Sequence, residues 1–311
     1  MIRILPMTRG VAVIASQIHM ARFSGAMLSL AVLALSPAAA AGAEKLTPGL
    51  VYGGKTNQDS PFVLKLRRGG RSVDHAAIII SANCSDGRTL QASETLTFED
   101  DSPSFIGQGQ HFFANGKLSK RHAFNSAGLG SERFGENSGA VTEKIKGRIK
   151  SNGAASGTYS ATVALIDNQG AKVATCNTGI LRWTARSAQG HIYAGSTSQD
   201  QPVVIELDKR RKMVTDLLVG WGAACTPSGS WLIGDHLVRF PISVGRFGDA
   251  FRQSGDIDGG GKRSFAYAIS GRVGKTKASG RLSVNVNDTD VTGAATFTCR
   301  TGSVTWSATS G

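Results

Sequence analysis

Two stretches of this chain are nearly alike: YGGKTNQDSP at residues 52–61 and YAGSTSQDQP at residues 193–202. Six of the ten positions are identical, so the shared motif is Y-x-G-x-T-x-Q-D-x-P. A cysteine follows each tyrosine 32 residues later, Cys84 in the first stretch and Cys225 in the second. Matching segments at a fixed spacing indicate an internal repeat.

Three further pairs of matching segments follow in the same order. They are G-R-[IV] at residues 147–149 and 271–273, A-S-G at residues 155–157 and 278–280, and C-x-T-G-x-x-x-W-x-A at residues 176–185 and 299–308. Four collinear matches indicate a tandem duplication, and two copies are too few for a solenoid. We therefore predict two similar domains, residues 44–189 and 190–311. The Gln-Asp pair retained in both copies indicates a structural role, such as side-chain hydrogen bonds that close a turn before the proline.

Short apolar runs separated by turn signals dominate both copies. Residues 62–66 (FVLKL) and 203–207 (VVIEL) are matched runs, and residues 281–286 (RLSVNV) alternate apolar with polar side chains. Clusters of Gly, Asn and Asp separate such runs, and no segment after residue 43 has a long 3.6-residue apolar period. We therefore predict an all-β chain of two tandem antiparallel β-sandwich domains, with roughly seven or eight short strands each.

Each copy contains one early and one late cysteine. The simplest pairing is therefore Cys84–Cys176 and Cys225–Cys299, one disulfide per domain, and the alternative pairings would cross the domain boundary. Within a sandwich, such a bridge would join the two sheets across the core. The chain has no C-x-x-C motif and no Cys/His pair at zinc-finger spacing, so we expect no metal site and no cofactor.

The N-terminus has the features of a secretory signal peptide. An apolar run at residues 26–36 follows Arg22 and is succeeded by small residues that suit cleavage before Glu44. The run is too short for a stable transmembrane anchor, which is the alternative interpretation. We predict that residues 1–43 are removed and that the mature protein is secreted or periplasmic, with translation starting at Met1, Met7 or Met20. An even number of cysteines fits such an oxidising compartment.

Catalytic motifs are missing from the sequence: there is no nucleophile elbow, no H-E-x-x-H and no P-loop. Asp74 and His75 could form an acid–base pair, but neighbours in a strand point to opposite faces. A carbohydrate-active enzyme or its accessory module is one alternative, with Glu94, Glu99 or Asp101 as carboxylates. That alternative needs two carboxylates about 5–10 Å apart facing one cleft. A purely structural or inhibitory secreted protein, recognised by the absence of a cleft, is the other alternative.

The basic character of the chain is more informative. Its formal charge is +13, and the predicted signal peptide carries three of those charges. Four cations alternate with Ile145, Gly147 and Ile149, so a strand would place them on one face. They are Lys144, Lys146, Arg148 and Lys150, and the matched turns add Arg67, Arg68, Arg210 and Arg211.

This pattern predicts a surface for an anionic polysaccharide, a wall polymer or a lipid surface. Nucleic acid is not favoured as a partner, because aromatic residues do not interleave with the cations. The alternative is that lysines merely protect a sheet edge from aggregation. We expect a non-enzymatic binding or structural protein of the cell envelope or the extracellular space.

The first copy is the longer one, because its two cysteines are 92 positions apart and those of the second copy are 74 apart. The excess falls near residues 125–139, NSAGLGSERFGENSG, which are rich in Gly, Ser and Asn. This composition predicts a surface loop. A binding loop is the sharper alternative, since long loops on a rigid scaffold often carry function.

The two signatures together resemble those of a group of uncharacterised secreted bacterial proteins, many from actinobacteria. That group has an aromatic-x-G-x-T-S-Q-G-x-P motif and a C-x-[TS]-G-x-x-x-W-x-A motif. The resemblance covers both copies, although this sequence has Asp59 and Asp200 where the group often has Gly. It implies export and a β fold, and it implies no activity.

Overall fold

A computed structural model describes residues 50–99, 110–114, 116–134, 136–227, 229–257 and 259–311. The predicted signal peptide at residues 1–43 lies outside the described residues, as does Asp101, and the same holds for the side chain of Glu99. Across the part of the chain that is described, no helix has the length and apolar character needed to cross a membrane.

The described chain is all-β, as the sequence predicts, and its strands fall into two sheets. The first sheet contains β1 (Val51–Thr56), β2 (Pro61–Leu66), β3 (Val73–Cys84), β4 (Thr89–Glu99), β5 (Gln110–Ala114), β6 (Ala123–Phe134), β7 (Asn137–Ile149), β8 (Ala154–Ile166), β9 (Lys172–Asn177) and β10 (Leu181–Arg186). The second contains β11 (Ile192–Thr197), β12 (Pro202–Leu207), β13 (Met213–Thr226), β14 (Ser230–Pro241), β15 (Arg246–Asp256), β16 (Lys262–Val273), β17 (Lys277–Thr289), β18 (Ala295–Arg300) and β19 (Val304–Ser310).

The strand pairings of the first sheet, which we call the first half, close on themselves. Strands β3 to β8 pair in sequence order, and β8 then pairs with β10, which leads through β1 and β2 back to β3. At the other end of β3 and β8, the single short strand β9 joins the two directly. The pair β4–β5 is parallel, whereas the other pairs are antiparallel. The sheet thereby encloses one apolar core.

The second sheet, or second half, repeats this arrangement with one strand fewer. Strands β13, β12, β11, β19 and β17 pair in that order, and β18 joins β13 to β17 as β9 joins β3 to β8. Nothing corresponds to β5, so β14 and β15 have no ladder between them among the described pairings. The correspondence is one of architecture; a common origin by duplication stays a prediction.

The extra length of the first copy therefore includes β5, and the prediction of a loop at residues 125–139 is wrong. Residues 125–134 belong to β6 and residues 137–139 to the start of β7. Two of the glycines that suggested a loop, Gly128 and Gly130, face the interior. A Cβ on Gly130 would lie 2.3 Å from Nδ1 of His111, and one on Gly128 would lie 2.7 Å from the ring of Phe113. They make room for side chains of β5.

Each half has its own core, centred on a tryptophan of its last strand. Trp183 stacks on Phe62 with ring centroids 4.4 Å apart, and Trp306 stacks on Phe247 at 6.1 Å. The retained glutamines also have the predicted structural role, because each amide bonds to the backbone N–H and C=O of one residue in the neighbouring strand. Gln58 bonds to Ser81 in this way, and Gln199 bonds to Gly222.

Both predicted disulfides are present, Cys84–Cys176 and Cys225–Cys299. The expectation that they join two sheets across the core is wrong. Cys84 lies directly opposite Cys176 in the β3–β9 ladder, and Cys225 lies opposite Cys299 in the β13–β18 ladder. Each bridge therefore links neighbouring strands of one sheet, at the point where a short strand closes the pairing.

The two halves pack on each other through a small apolar layer, and the described residues of both belong to one compact unit. The layer contains Val63, Ala77, Ile192, Ala194, Val204 and Leu218. An ion pair between Arg186 and Glu206, with Nη2 and Oε1 2.5 Å apart, lies beside the chain crossing from β10 to β11. The domain boundary predicted at residues 189–190 falls within this crossing.

Candidate functional site

The predicted basic stripe is exposed on the outer face of β7. Along this strand the side chains alternate strictly, with Val141, Ile145 and Ile149 in the core. The cations Lys144, Lys146 and Arg148 point outward, and Lys150 is exposed just after the strand ends. This is the side-chain alternation of a β-strand that has one face on the core.

The neighbouring strands place only small or polar residues beside these cations. Lys144 lies between Ala127 and Ser160, and Lys146 lies between Asn125 and Thr158. Arg148 likewise lies between an alanine and a serine. No ion pair among the described residues involves any of the four cations of the stripe. Their charge is therefore available to a partner.

Strand β10 extends this surface by a cation that the sequence analysis missed. Arg182 is exposed and lies opposite Thr158, which in turn lies opposite Lys146. Two strand spacings separate the two cations, a distance of about 10 Å, and cations along β7 recur at about 7 Å. We call Lys144, Lys146, Arg148, Lys150 and Arg182 the basic face.

Two of the four arginines predicted from the turns bond to other groups of the protein. Arg67 donates a hydrogen bond to the carbonyl oxygen of Phe98 at 2.5 Å and lies 4.0 Å from Asp74. Arg211 donates to the hydroxyl of Tyr193 at 2.9 Å and to the carbonyl of Gly274 at 2.6 Å. These two guanidinium groups stabilise their own turns. Arg68 and Arg210 are exposed beside them.

Asp74 and His75 do contact each other, contrary to the expectation from strand alternation. Oδ2 of Asp74 and Nδ1 of His75 are 3.3 Å apart. The β2–β3 register shifts here, because Lys65 pairs with His75 and the next residue of β2 pairs with Val73. Asp74 is the extra residue of a β-bulge, which re-aims its side chain. Burial and the nearby Lys65 ammonium lower the pKa of His75.

Inside the first half lies a polar cluster that the sequence analysis did not assemble. It consists of Glu94 on β4, His111 on β5, Glu132 on β6 and Glu143 on β7, with Tyr159 of β8 beside them. Glu94 is 0% exposed, His111 2% and Glu143 1%. We call the four acid and imidazole groups the Glu–His cluster.

A signal for this cluster exists in the strand patterns. Glu143 occupies an inward position of β7 between Val141 and Ile145, and Glu94 occupies one of β4 between Ala92 and Leu96. A charged residue at a core position of an alternating strand is unusual, because a buried charge is costly unless it is paired or binds a metal. His111 carried no such signal, since its strand is short and has no clear alternation.

The imidazole of His111 is the centre of the cluster. Its Nδ1 lies 2.8 Å from Oε2 of Glu143, whose other oxygen accepts a hydrogen bond from the hydroxyl of Tyr159. Its Nε2 lies 2.8 Å from Oε2 of Glu94 and 3.8 Å from Oε2 of Glu132. The Nε2–Glu94 contact is at ion-pair distance, although neither atom has a hydrogen-bond partner among the described residues.

Burial and mutual charge control the protonation of these groups. Burial alone lowers the pKa of His111, but the Glu143 and Glu94 carboxylates outweigh it and raise the pKa to about 10. Burial, with the Glu94 charge second, raises the pKa of Glu132 to about 8. Burial is also the main cause that raises the pKa of Glu94 and of Tyr159. Perturbed groups clustered in this way are typical of functional sites.

At the corresponding place, the second half has a carboxylate with hydrogen-bond donors of its own. Asp235 lies opposite Val219 in the β13–β14 ladder, as Glu94 lies opposite Ile78 in the β3–β4 ladder. The Asp235 carboxylate accepts hydrogen bonds from Nε1 of Trp221 at 2.6 Å and from the hydroxyl of Tyr267 at 3.0 Å. Burial raises the pKa of Asp235 despite these two donors.

A cleft of about 710 Å³ lies between the two halves. Lys65, His75, Asp200 and Lys277 are its charged or titratable lining residues, so Asp200 is the one carboxylate in the described lining. Glu94 is enclosed in the first half and does not reach this cleft. The described lining of this cleft therefore does not contain the carboxylate pair that glycoside hydrolysis requires.

No protein-family model matches the chain, and a search of the curated proteins finds no match.

Proposed function

We propose that this chain is an exported, non-enzymatic protein that binds an anionic polymer through the basic face of the first half. One observation supports the proposal above the others. Four cations project from one side of β7 at regular spacing, without an acidic partner among the described residues. Such a row matches a linear chain of anionic groups better than a single small ion.

The surroundings of the face favour a polymer with phosphate, sulfate or carboxylate groups. The rows of Ser and Thr on β8 offer hydroxyl donors between the two cation-bearing strands. The aromatic residues of β8 and β10, Tyr159 and Trp183, are buried in the core, and β7 has none. The face therefore presents no aromatic side chain for base stacking, which argues against single-stranded nucleic acid as the partner.

Two disulfides support export, because such bridges persist in oxidising compartments. A wall polymer, an acidic polysaccharide and an anionic lipid headgroup share the chemistry that the face would recognise. The cell envelope or the space outside it is the location where such a polymer would be met.

A charge-matched pair of variants tests the proposal. In the face variant, Lys144, Lys146 and Lys150 are each replaced by Gln, and in the control variant the exposed Lys172, Lys262 and Lys275 are replaced in the same way. Both variants lose the same net charge. Binding to polyphosphate, to heparin and to phosphatidylglycerol vesicles is measured over a range of salt concentrations.

We expect the face variant to bind its preferred polyanion about 100-fold more weakly at low salt, since each cation near an anionic surface contributes about 1 kcal/mol. Its affinity should also depend less steeply on salt than that of the wild type, because fewer counterions are released. The control variant should retain most of the affinity. Equal losses in the two variants, or binding that does not respond to salt, would contradict the proposal.

A further inference from the structure

The geometry points to a second site that is independent of the basic face. We propose that Glu94, His111 and Glu132 bind one divalent first-row transition-metal ion, zinc or a similar ion, inside the first half. Their ligand atoms come from three consecutive strands, β4, β5 and β6, and all lie within 4.8 Å of one another. This lies beyond the proposed polymer binding and shares no residue with it.

Orphaned polar atoms are the main argument. Both carboxylate oxygens of Glu94, Nε2 of His111 and Oε2 of Glu132 are buried and have no hydrogen-bond partner. Leaving buried polar atoms without hydrogen bonds costs free energy, so native proteins rarely tolerate several in one place. A cation in the space between these atoms would satisfy them together.

The separations of the ligand atoms are close to those of ligands around one ion. Nε2 of His111 lies 2.8 Å from Oε2 of Glu94 and 3.8 Å from Oε2 of Glu132. Zinc binds imidazole nitrogen and carboxylate oxygen at about 2.0–2.2 Å, so two ligands of one ion lie roughly 3–4 Å apart. The separation from Glu132 falls in this range, and the Glu94 oxygen would move outward by a few tenths of an ångström to admit the ion.

The support around His111 is that of a metal-binding histidine. Its second nitrogen, Nδ1, lies 2.8 Å from Glu143, and Tyr159 donates to the other oxygen of the same carboxylate. A carboxylate that accepts the remaining N–H of a ligand histidine fixes the tautomer that leaves Nε2 free for the ion. Glu143 and Tyr159 are positioning residues in this arrangement.

The ligand types select the class of ion. One imidazole nitrogen and two carboxylates suit zinc, manganese or ferrous iron, whereas calcium takes six to eight oxygen ligands. Three protein ligands leave at least one coordination position for water. Glu132 is the ligand at the rim, with 25% of its side chain exposed, and it provides the route for an ion from solvent.

Such an ion would fasten β5 into the sheet. Strand β5 is short, has no counterpart in the second half, and contributes His111 as its ligand. The competing account is a protonated imidazole held between Glu94 and Glu143 with no metal involved. The two accounts differ in what Co²⁺ and Zn²⁺ do to the intact protein.

The experiment uses the disulfide-bonded protein after chelation and dialysis. Co²⁺ and then Zn²⁺ are titrated into the wild type, Glu132→Gln and Asp235→Asn, with calorimetry and the visible d–d absorption of Co²⁺ as readouts. Glu132→Gln is the chosen ligand variant because its rim position spares the core, and Asp235→Asn is the matched control in the second half. Circular dichroism checks that each variant is folded.

We expect one ion per chain in the wild type, with a Co²⁺ spectrum of low symmetry that Zn²⁺ abolishes. Glu132→Gln should weaken binding at least 100-fold, and Asp235→Asn should leave it within twofold. No saturable binding by the folded wild type would overturn the proposal in favour of the protonated imidazole. Equal weakening in the ligand variant and the control would overturn it as well.

Discussion

Glu94 in the first half and Asp235 in the second occupy the same position of the sheet, yet only one of them is satisfied by its own fold. Asp235 accepts two hydrogen bonds, from Trp221 and Tyr267. Glu94 accepts none and faces His111 of the additional strand β5. The Asp235 group is therefore satisfied by hydrogen bonds within the second half, whereas the Glu–His cluster of the first half retains buried polar atoms without a hydrogen-bond partner. That contrast is the basis of the metal proposal.

Removing the Asp235 carboxylate should produce the largest effect on the free energy of unfolding. Asp235→Leu leaves the indole N–H of Trp221 and the hydroxyl of Tyr267 buried without an acceptor. Each lost partner costs about 1–3 kcal/mol, so we expect a loss of about 3 kcal/mol in the free energy of unfolding, measured with urea. Asp235→Asn keeps an acceptor oxygen and should lose about 1 kcal/mol. A Leu variant as stable as the Asn variant would show that the second half does not depend on this acceptor.

Crowding His111 should produce the next largest effect and should act on the first half alone. A Cβ on Gly130 would lie 2.3 Å from the imidazole, so Gly130→Ala forces the ring to move. We expect a loss of about 2 kcal/mol in unfolding free energy together with at least tenfold weaker Zn²⁺ binding. Gly222→Ala is the control, since its Cβ would find no atom closer than 3.7 Å. If zinc affinity is unchanged in Gly130→Ala, His111 is not a ligand.

Removing the hydroxyl of Tyr267 or of Tyr159 should produce the smallest effects on stability. Tyr267→Phe removes one of two donors to Asp235, and Tyr159→Phe removes the donor to Glu143. Each variant should lose about 1 kcal/mol of unfolding free energy. Only Tyr159→Phe should also weaken Zn²⁺ binding, by several-fold, because it loosens the carboxylate that orients His111. Zinc affinities that fall equally in both variants would break the distinction between the halves.

Most of the architecture could be predicted from the sequence. The repeated motifs and the position of the cysteines predicted an all-β chain with the correct disulfides, and the alternation at residues 144–150 predicted the exposed row of cations. These features depend on local periodicity and on spacing along the chain. The two halves have ten and nine described strands, more than the seven or eight expected for each. One reason is that a long strand pairs along one edge with two short strands, as β8 does with β9 and β10.

The Glu–His cluster could not be predicted in the same way. Its first member, Glu94, and its last, Glu143, are 49 residues apart in the sequence. The four residues meet only because β4, β5, β6 and β7 are neighbours in the sheet. The parallel β4–β5 pair that brings His111 to Glu94 has no sequence signature. The inward glycines of β6 resemble loop residues in the sequence, because composition alone does not reveal which bulky side chain a glycine accommodates.

The most direct test of the difference between the two halves is anomalous diffraction at the zinc absorption edge from crystals of the zinc-treated protein. The account predicts one anomalous peak, within about 2.2 Å of Nε2 of His111 and of carboxylate oxygens of Glu94 and Glu132. It predicts no peak beside Asp235, whose Oδ2 already accepts two hydrogen bonds. A crystal with no peak in the first half, or with equal peaks at both carboxylates, would contradict the account.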